Sequence, residues 1–243
     1  MNLFYKNLWL LFLFLMVSCG SSDKLEIKGE PEAVQMAEEM LKALGGKKAW
    51  TKLRSVYIRT VVRASGASNP YLSEEWINLD QPKFMNKKTV NNIQSIDIVD
   101  GNDGWRIKGS TVEMIAPGQI TSYLRWHEQH FLRVVKDLVE EKENIEVRKI
   151  AANQFEVFSN GKFLSGFELN ESHLPITYYN KSNAGRLNKI FFKEYSEYKG
   201  YKFPLVIEAE SMMAMYRTDY FDPSPLDAER AFKISFNPNE LIK

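Results

Sequence analysis

Cysteine and histidine are scarce in this 243-residue chain, which has one of the former and three of the latter. With Cys19 as its single cysteine, the chain cannot form a disulfide within itself. A zinc site needs three or four convergent protein ligands. His127 and His130 are three residues apart and diverge on a helical wheel, and only His173 remains. We therefore predict structural or surface roles for the histidines and no metal site.

Catalytic signatures are lacking as well. The sequence has no Gly-x-Ser-x-Gly elbow, His-Glu-x-x-His pair, phosphate-binding loop or dinucleotide fingerprint. Acidic pairs such as Glu74-Glu75 and Glu140-Glu141 are typical of solvated strands and helix ends, and no paired base and nucleophile can be named. The sequence thus predicts a protein that is not an enzyme, with no catalytic residue and no cofactor.

An excess of charge of either sign is also missing. Lys6 is the only charged residue before Cys19, so removing residues 1–18 leaves 31 basic and 31 acidic side chains. A balance of this kind, without a block of lysine and arginine, excludes nucleic acid as the expected partner. It also gives no reason to expect electrostatic attachment to anionic lipids.

The one long apolar run is at the N-terminus. It extends from Leu8 to Val17 and follows a cationic residue, as in a signal peptide. This run is shorter than the ~20 apolar residues that span a bilayer. It ends in Leu15-Met16-Val17-Ser18-Cys19, which resembles a lipobox. We predict a lipoprotein signal peptide over residues 1–18 and lipidation of Cys19. The alternative is an ordinary secretory signal next to an incidental cysteine.

The chain after the predicted cleavage site is divided into two parts. Residues 19–29 are short, polar and without periodicity, which predicts a flexible tether from the lipidated cysteine. Residues 30–243 contain no linker or repeat, which predicts a single domain. No aspartate follows Cys19 directly. By resemblance to Gram-negative sorting rules, this favours an outer-membrane lipoprotein that faces the periplasm.

Hydrophobic periodicity predicts mainly strands with a few helices. Apolar residues at helical spacing predict a helix over 31–44, a short helical turn over 47–53 and one long helix over 119–140. Alternating and β-branched segments separated by turn signals predict eleven to thirteen antiparallel strands in the rest of the chain. The fold class is therefore α+β, with a large curved antiparallel sheet covered by helices.

The predicted order of elements over nearly all of residues 30–235 resembles the architecture of the LolA/LolB-like outer-membrane lipoprotein-sorting proteins, with an N-terminal helix, a meander of strands, a central helix and closing strands. Three sequence features mark the resemblance. They are Gly45-Gly46 followed by Trp50, the run Gly200-Tyr201-Lys202-Phe203-Pro204, and Phe221-Asp222-Pro223 near the end. The resemblance implies an unclosed half-barrel with helices as a lid. It also implies a concave apolar face that holds a lipid or the acyl chains of a lipoprotein.

Under this resemblance, large apolar residues at predicted inward positions are candidate ligand contacts. They are Trp76, Met85, Trp105, Met114, Leu124, Phe131, Phe167, Tyr178, Phe191, Met213 and Met215. Methionine suits such a role because it is flexible and tolerates varied partners. Two alternatives remain open. The same residues form a permanent dry core, or the domain is a non-enzymatic interaction module of the cell envelope that presents a sheet edge or residues 216–222 to a partner. We expect a monomer.

Overall fold

A computed structural model describes residues 26–66, 69–182, 184–210 and 213–223. The predicted signal peptide, Cys19 and most of the predicted tether lie outside these residues. Among the helices of the described ranges, none is long and apolar enough to cross a membrane.

The N-terminal half of the described chain is a short helical segment followed by a meander of six strands. The glycines at 101 and 109 close two of its hairpins with positive φ. The elements in chain order are β1 (Lys28–Gly29), α1 (Pro31–Ala43), α2 (Lys47–Trp50), β2 (Ser55–Ala64), β3 (Tyr71–Asn78), β4 (Lys83–Val90), β5 (Ile93–Asp100), β6 (Asp103–Lys108) and β7 (Thr111–Met114).

The C-terminal half begins with two helices and continues as a second meander. Asn160 and Gly161 both have positive φ, as the two central residues of a tight hairpin turn require. The elements are α3 (Pro117–Glu128), α4 (Phe131–Val139), β8 (Ile145–Ala151), β9 (Gln154–Ser159), β10 (Lys162–Leu169), β11 (Pro175–Lys181), β12 (Leu187–Tyr198), β13 (Tyr201–Ala209) and β14 (Ala214–Asp222).

All fourteen described strands belong to one sheet. Their order is β1-β8-β9-β10-β11-β12-β13-β14-β2-β3-β4-β5-β6-β7, so the two meanders join where β14 pairs with β2. Every pairing is antiparallel except the two-residue parallel pairing of β1 with β8. Strands β1 and β7 are the two ends of this order and do not pair with each other. This confirms the predicted class, a large unclosed sheet with helices, and adds one parallel edge strand.

The single helix predicted over 119–140 is wrong, because the chain breaks between α3 and α4. His130 is extended, with φ −71° and ψ 133°, and its Nδ1 accepts a hydrogen bond from the Leu132 N–H at 3.3 Å. A side chain that caps a new helix in this way competes with continuation of the old one. The apolar residues keep a helical spacing through the break, so periodicity could not reveal it.

The glycine and aromatic segments that carry the family resemblance lie against each other. Gly45 has φ +121°, and a Cβ at this position would lie 2.2 Å from the carbonyl oxygen of Gly200. The rings of Trp50 and Tyr201 meet edge to face with centroids 5.7 Å apart. The Trp50 indole N–H donates to the Leu44 carbonyl at 3.1 Å. These contacts attach the end of α1 to the hairpin between β12 and β13.

One face of the sheet carries the helices and the main core. Apolar side chains from α1 and α4 pack with those of β2, β3 and β8 to β11 in one continuous cluster. Helix α4 contributes most of its residues to this core, and α3 buries only Ile120 and His127. The helix-covered face is therefore closed tightly by α4 and more lightly by α3.

Candidate functional site

Four of the predicted ligand contacts lie together on the helix-covered face. Phe131, at the start of α4, packs against Phe167 and Tyr178 of the sheet, with ring centroids 6.3 and 5.8 Å away. Phe167 and Tyr178 are fully or almost fully buried. The Tyr178 hydroxyl donates to the Gln129 carbonyl at 2.5 Å. Leu124 of α3 is half-buried against the same cluster. This part of the face is filled by the protein's own side chains.

Four other candidates lie on the opposite face of the sheet, which corrects their predicted inward orientation. Residues paired directly across antiparallel strands share a face. Trp76 pairs with Met85, and Trp105 pairs with Met114. Their neighbours in sequence, Ile77 and Phe84, belong to the helix-covered core, whereas Trp76, Met85 and Trp105 form a separate cluster. Met114 is 76% exposed.

The reason for this error lies in strands that are apolar on both faces. Trp76-Ile77, Phe84-Met85 and Ile98-Val99 each place an apolar side chain on either side, so alternation does not identify the inner row. Trp105 was predicted to point inward because it is large and apolar. The residue that faces α3 is its small neighbour Gly104. A Cβ there would lie 2.3 Å from Cδ1 of Ile120. Ile120 of α3 therefore occupies the space that a side chain at position 104 would need.

The last three candidates are also separate from the helix-covered core. Phe191 pairs with Glu208, which in turn pairs with Met215, so both apolar residues share the outer face. Ile190 packs against the helix-covered core in place of Phe191. Met213 is 72% exposed at a turn with φ +44°. The predicted set therefore does not converge on one site, and its role in ligand binding stays a prediction.

A pocket of about 490 Å³ lies at one end of the helix-covered face, under the junction of α3 and α4. Its volume is within the ~300–1,000 Å³ range of small-molecule sites. Three stretches of the chain line it, within residues 80–82, 124–145 and 159–164, and local sequence patterns gave no signal for it beyond Leu124. The lining residues are Asp80, Pro82, Leu124, His127, Glu128, Arg133, Asp137, Lys142, Asn144, Ile145, Ser159 and Leu164.

The floor and the rim of this pocket differ in character. Leu124, Ile145 and Leu164 belong to the main core or pack on it, so the floor is apolar and continuous with that core. Charged side chains occupy the rim, where Arg133 Nε lies 3.1 Å from a carboxylate oxygen of Asp137. Nη1 of Arg133 is buried and has no hydrogen-bond partner among the described residues. A buried donor without a partner is costly, and an acceptor brought by a ligand would satisfy it.

Polar contacts hold α3 over the sheet beside the pocket. The Tyr123 hydroxyl donates to Asp97 at 2.6 Å, and Arg106 donates to the same carboxylate at 2.7 and 2.8 Å. Burial alone would raise the pKa of Asp97, but the hydrogen bonds from Arg106 and Tyr123 outweigh it and lower the pKa below its usual value. Asp97 therefore stays ionised as the acceptor that anchors α3.

Both histidines at the helix junction already have partners. Nε2 of His127 lies 2.6 Å from the Asn78 carbonyl, and His130 caps α4. Desolvation lowers the pKa of His127. Desolvation, with a smaller contribution from His127, lowers the pKa of His130 to about 3. In the described ranges no group of three or more His, Cys, Asp and Glu side chains is placed to hold a metal ion.

The lowered histidine pKa values predict a loss of stability in mild acid. An unfolded histidine has a pKa near 6.5 and takes up a proton more readily than His130 does in the fold. The neutral form of His130 contributes fully to stability above pH ~6.5. This contribution declines as the pH falls toward the lowered pKa of His130 in the folded protein. Between pH 7 and 4.5, urea unfolding should show a decrease in unfolding free energy on the order of 1–3 kcal/mol.

Two variants test which histidine causes the loss of stability in acid. His130→Asn keeps a residue that caps helices well and should weaken the decline, and His127 should supply what remains. His173→Asn replaces the third histidine, which is exposed and contacts Glu39, and serves as the control for replacing a histidine. An acid profile that is the same in His130→Asn and in the unmodified protein would contradict the assignment.

The comparisons with known proteins show structural similarity only. No protein family and no curated protein matches the sequence. A DUF1329 family protein from Desulfovibrio piger is similar in structure, with 11% identity, a TM-score of 0.43 and coverage of 79% of this chain and 92% of that one. A conserved protein from Thermus thermophilus has 8% identity, a TM-score of 0.38 and coverage of 82% and 91%. LprF from Mycobacterium bovis has 11% identity, a TM-score of 0.34 and coverage of 79% and 93%.

Proposed function

We propose that this protein is an envelope lipoprotein, anchored through Cys19 in the outer membrane and facing the periplasm, that binds or transfers a lipid or acylated ligand without catalysing a reaction. The observation that carries the proposal is the pocket under the junction of α3 and α4, with its apolar floor and charged rim. Such a pocket fits an amphiphile, whose apolar chain and polar head need different surroundings.

Each part of the pocket has a role in this binding. An acyl chain on the floor formed by Leu124, Ile145 and Leu164 would leave water, which is worth ~0.8 kcal/mol for each buried methylene. A carboxylate, ester or phosphate oxygen of the head group would accept a hydrogen bond from Nη1 of Arg133, which has no described partner. The combination favours a ligand with an acyl chain and an acceptor-rich head.

Helix α3 is the element that would move to admit a longer chain. It buries only two side chains, and polar contacts of Tyr123 and His127 hold it over the sheet. Its displacement would open the pocket toward the aromatic cluster of Phe131, Phe167 and Tyr178. Binding would then exchange contacts between protein side chains for contacts with lipid.

Leu124→Glu is expected to weaken binding of a fluorescent fatty acid at least tenfold, because it places a carboxylate on the apolar floor. Leu124 is half-buried, so the fold should survive the change. The measurement is a titration of residues 20–243, secreted without the lipid anchor. Leu187→Glu is the matched control, since Leu187 is 47% exposed on β12 and does not line the pocket.

Native mass spectrometry of the same secreted chain supplies the second measurement. Co-purifying acyl species that are lost in Leu124→Glu and retained in Leu187→Glu would support the proposal. A clean mass of the protein alone, together with no uptake of the fatty acid, would refute it.

The second candidate function is a non-enzymatic interaction module of the cell envelope. All four residues of β7 are exposed, and this strand is one end of the described sheet. A peptide from a partner could add to such an edge through backbone hydrogen bonds. This function becomes the better one if no acyl ligand binds.

A further inference from the structure

A polar patch interrupts the helix-covered face of the sheet, next to the apolar core. Val56 and Ile77 pair directly on β2 and β3 and are fully buried in that core. Every second residue of a strand points to the same face, so residues further along these strands at the same parity also point to the helix side. Several of them are polar on β14, β2, β3 and β4, and cross-strand pairing brings them together. The polar patch consists of Thr60, Tyr71, Ser73, Glu75, Asn86 and Thr218.

Hydrogen bonds from Asn86 connect the middle of the patch. Its side-chain amide donates to a Glu75 carboxylate oxygen at 2.7 Å and to the Ser73 hydroxyl at 3.2 Å. Desolvation raises the pKa of Glu75, and this effect outweighs those of Lys88 and of the Asn86 hydrogen bond, which lower it. Burial also raises the pKa of Tyr71, with a smaller contribution from the nearby Glu75. A carboxyl group and a phenol therefore lie close together in surroundings that are poor in water.

The patch has accessible groups above a buried polar floor. Tyr71 and Glu75 are half-buried, whereas Thr60, Ser73 and Thr218 are buried. Thr218 pairs directly with Thr60, and Thr60 pairs with Ser73, so three hydroxyl groups form one row on this floor. The Thr218 hydroxyl oxygen is buried and has no hydrogen-bond partner among the described residues. A buried hydroxyl without a partner is costly, and a polar group of a ligand would satisfy it.

The groups in and around the patch argue against most kinds of ligand. An acyl chain would remove water from Glu75 and Asn86 without replacing its hydrogen bonds. An anion would lie near Asp97, which pairs directly with Asn86 and has a lowered pKa, so that it is ionised. A cation would meet Lys88 and Arg106, which point to the same face of the sheet. A neutral molecule rich in hydroxyl groups remains, because each hydroxyl both donates and accepts hydrogen bonds.

We propose that the polar patch is a binding site for a neutral sugar. Sugar hydroxyls bind Glu75, Asn86 and Thr218, and the apolar C–H face of a sugar ring packs on the ring of Tyr71. From β14 to β4 the patch crosses three strand spacings, or ~14 Å, which suits a short oligosaccharide. None of the patch residues lines the pocket under the junction of α3 and α4, so this site is additional to the one proposed for an acyl ligand.

Saturation-transfer NMR titrations of the full-length chain, held in a detergent that contains no sugar, test this site. The probes are maltotriose, cellotriose and N-acetylchitotriose, and we expect at least one of them to bind. Tyr71→Leu removes the ring surface and should weaken that binding by about tenfold. Tyr220→Leu is the matched control, because Tyr220 is 44% exposed and points to the opposite face of the sheet. The control should bind within about twofold of the unmodified protein.

Thr218→Val distinguishes a binding role from a structural one. Valine keeps the shape of threonine and removes the buried hydroxyl that has no described partner, so the urea midpoint should stay the same or rise. Sugar binding should nevertheless weaken by about fivefold, because one hydrogen bond to the ligand is lost. Thr89→Val makes the same change on the opposite face of β4 and should leave sugar binding unaltered.

A titration with monomeric hexyl maltoside distinguishes a free sugar from the head group of a glycolipid. Binding of a trisaccharide identifies a free sugar as sufficient. Binding of hexyl maltoside alone, with the same losses in Tyr71→Leu and Thr218→Val, identifies a sugar carried on a lipid. Leu124→Glu should retain trisaccharide binding, which keeps this test separate from that of the acyl pocket. No binding by any of these probes, or equal binding in Tyr71→Leu and Tyr220→Leu, would overturn the proposal.

Discussion

Replacing both carboxylates that face Lys136 is expected to destabilise the protein by about 3–5 kcal/mol. The Lys136 side chain is fully buried in α4, and its Nζ lies 2.6 Å from Glu140 and 3.3 Å from Asp80. Asp80→Asn combined with Glu140→Gln keeps the size of both side chains and one acceptor oxygen in each. It leaves a buried ammonium without a counter-charge, so urea unfolding should show a large decrease in unfolding free energy.

Two further variants make this experiment specific to the buried charge. Adding Lys136→Met to the double variant removes the ammonium and should recover much of the lost stability, since well-packed apolar replacements of buried ion pairs are often neutral. Glu194→Gln breaks the exposed ion pair with Arg217 and should cost less than about 1 kcal/mol. If Lys136→Met brings no recovery, the unpaired charge is not the cause of the loss.

The ion pair also links the fold to the pocket. Asp80 follows β3 and lines the rim, whereas Lys136 belongs to the helix that covers the core. The double variant should therefore loosen α4 where the pocket forms. The sequence did not predict that Lys136 is buried. A lysine in an amphipathic helix is usually solvated, and only the fold brings Asp80 next to it.

Local chemistry predicted much of the fold. The helix predicted over 31–44 is α1, Pro31–Ala43, and the helical turn predicted over 47–53 contains α2, Lys47–Trp50. These predictions are confirmed because each depends on residues that are close together in the chain. The break at His130 was missed because it depends on one side chain capping the next helix, and the apolar spacing continues through it.

The candidate site was harder to predict because it depends on which face of a strand meets the helices. The structure places Leu124, Phe131, Phe167 and Tyr178 on the helix-covered face, as predicted. It places Trp76, Met85, Trp105 and Met114 on the opposite face. A strand that is apolar on both sides contains no local information about its inner face. The pocket combines residues from three stretches between Asp80 and Leu164, and only the completed fold brings them together.

Phe167→Ala is expected to cost about 3–5 kcal/mol of unfolding free energy, and Phe191→Ala should cost about 1 kcal/mol. Phe167 is fully buried, stacks on Phe155 at 5.1 Å and lies 5.2 Å from the ring of Tyr178. Truncating it removes aromatic contacts and leaves a cavity that neighbouring rings cannot fill. Phe191 is half-buried on the outer face, where water can occupy the space left by its ring.

The pair of variants tests the assignment of faces directly, because sequence patterns predicted both phenylalanines to point inward. Urea unfolding of the two variants under the same conditions gives the comparison. Equal losses of stability would mean that Phe191 is as much part of the core as Phe167, and the β12 register would be wrong. A much larger loss in Phe167→Ala than in Phe191→Ala would place the aromatic core on the helix-covered face of the sheet and Phe191 on the opposite face.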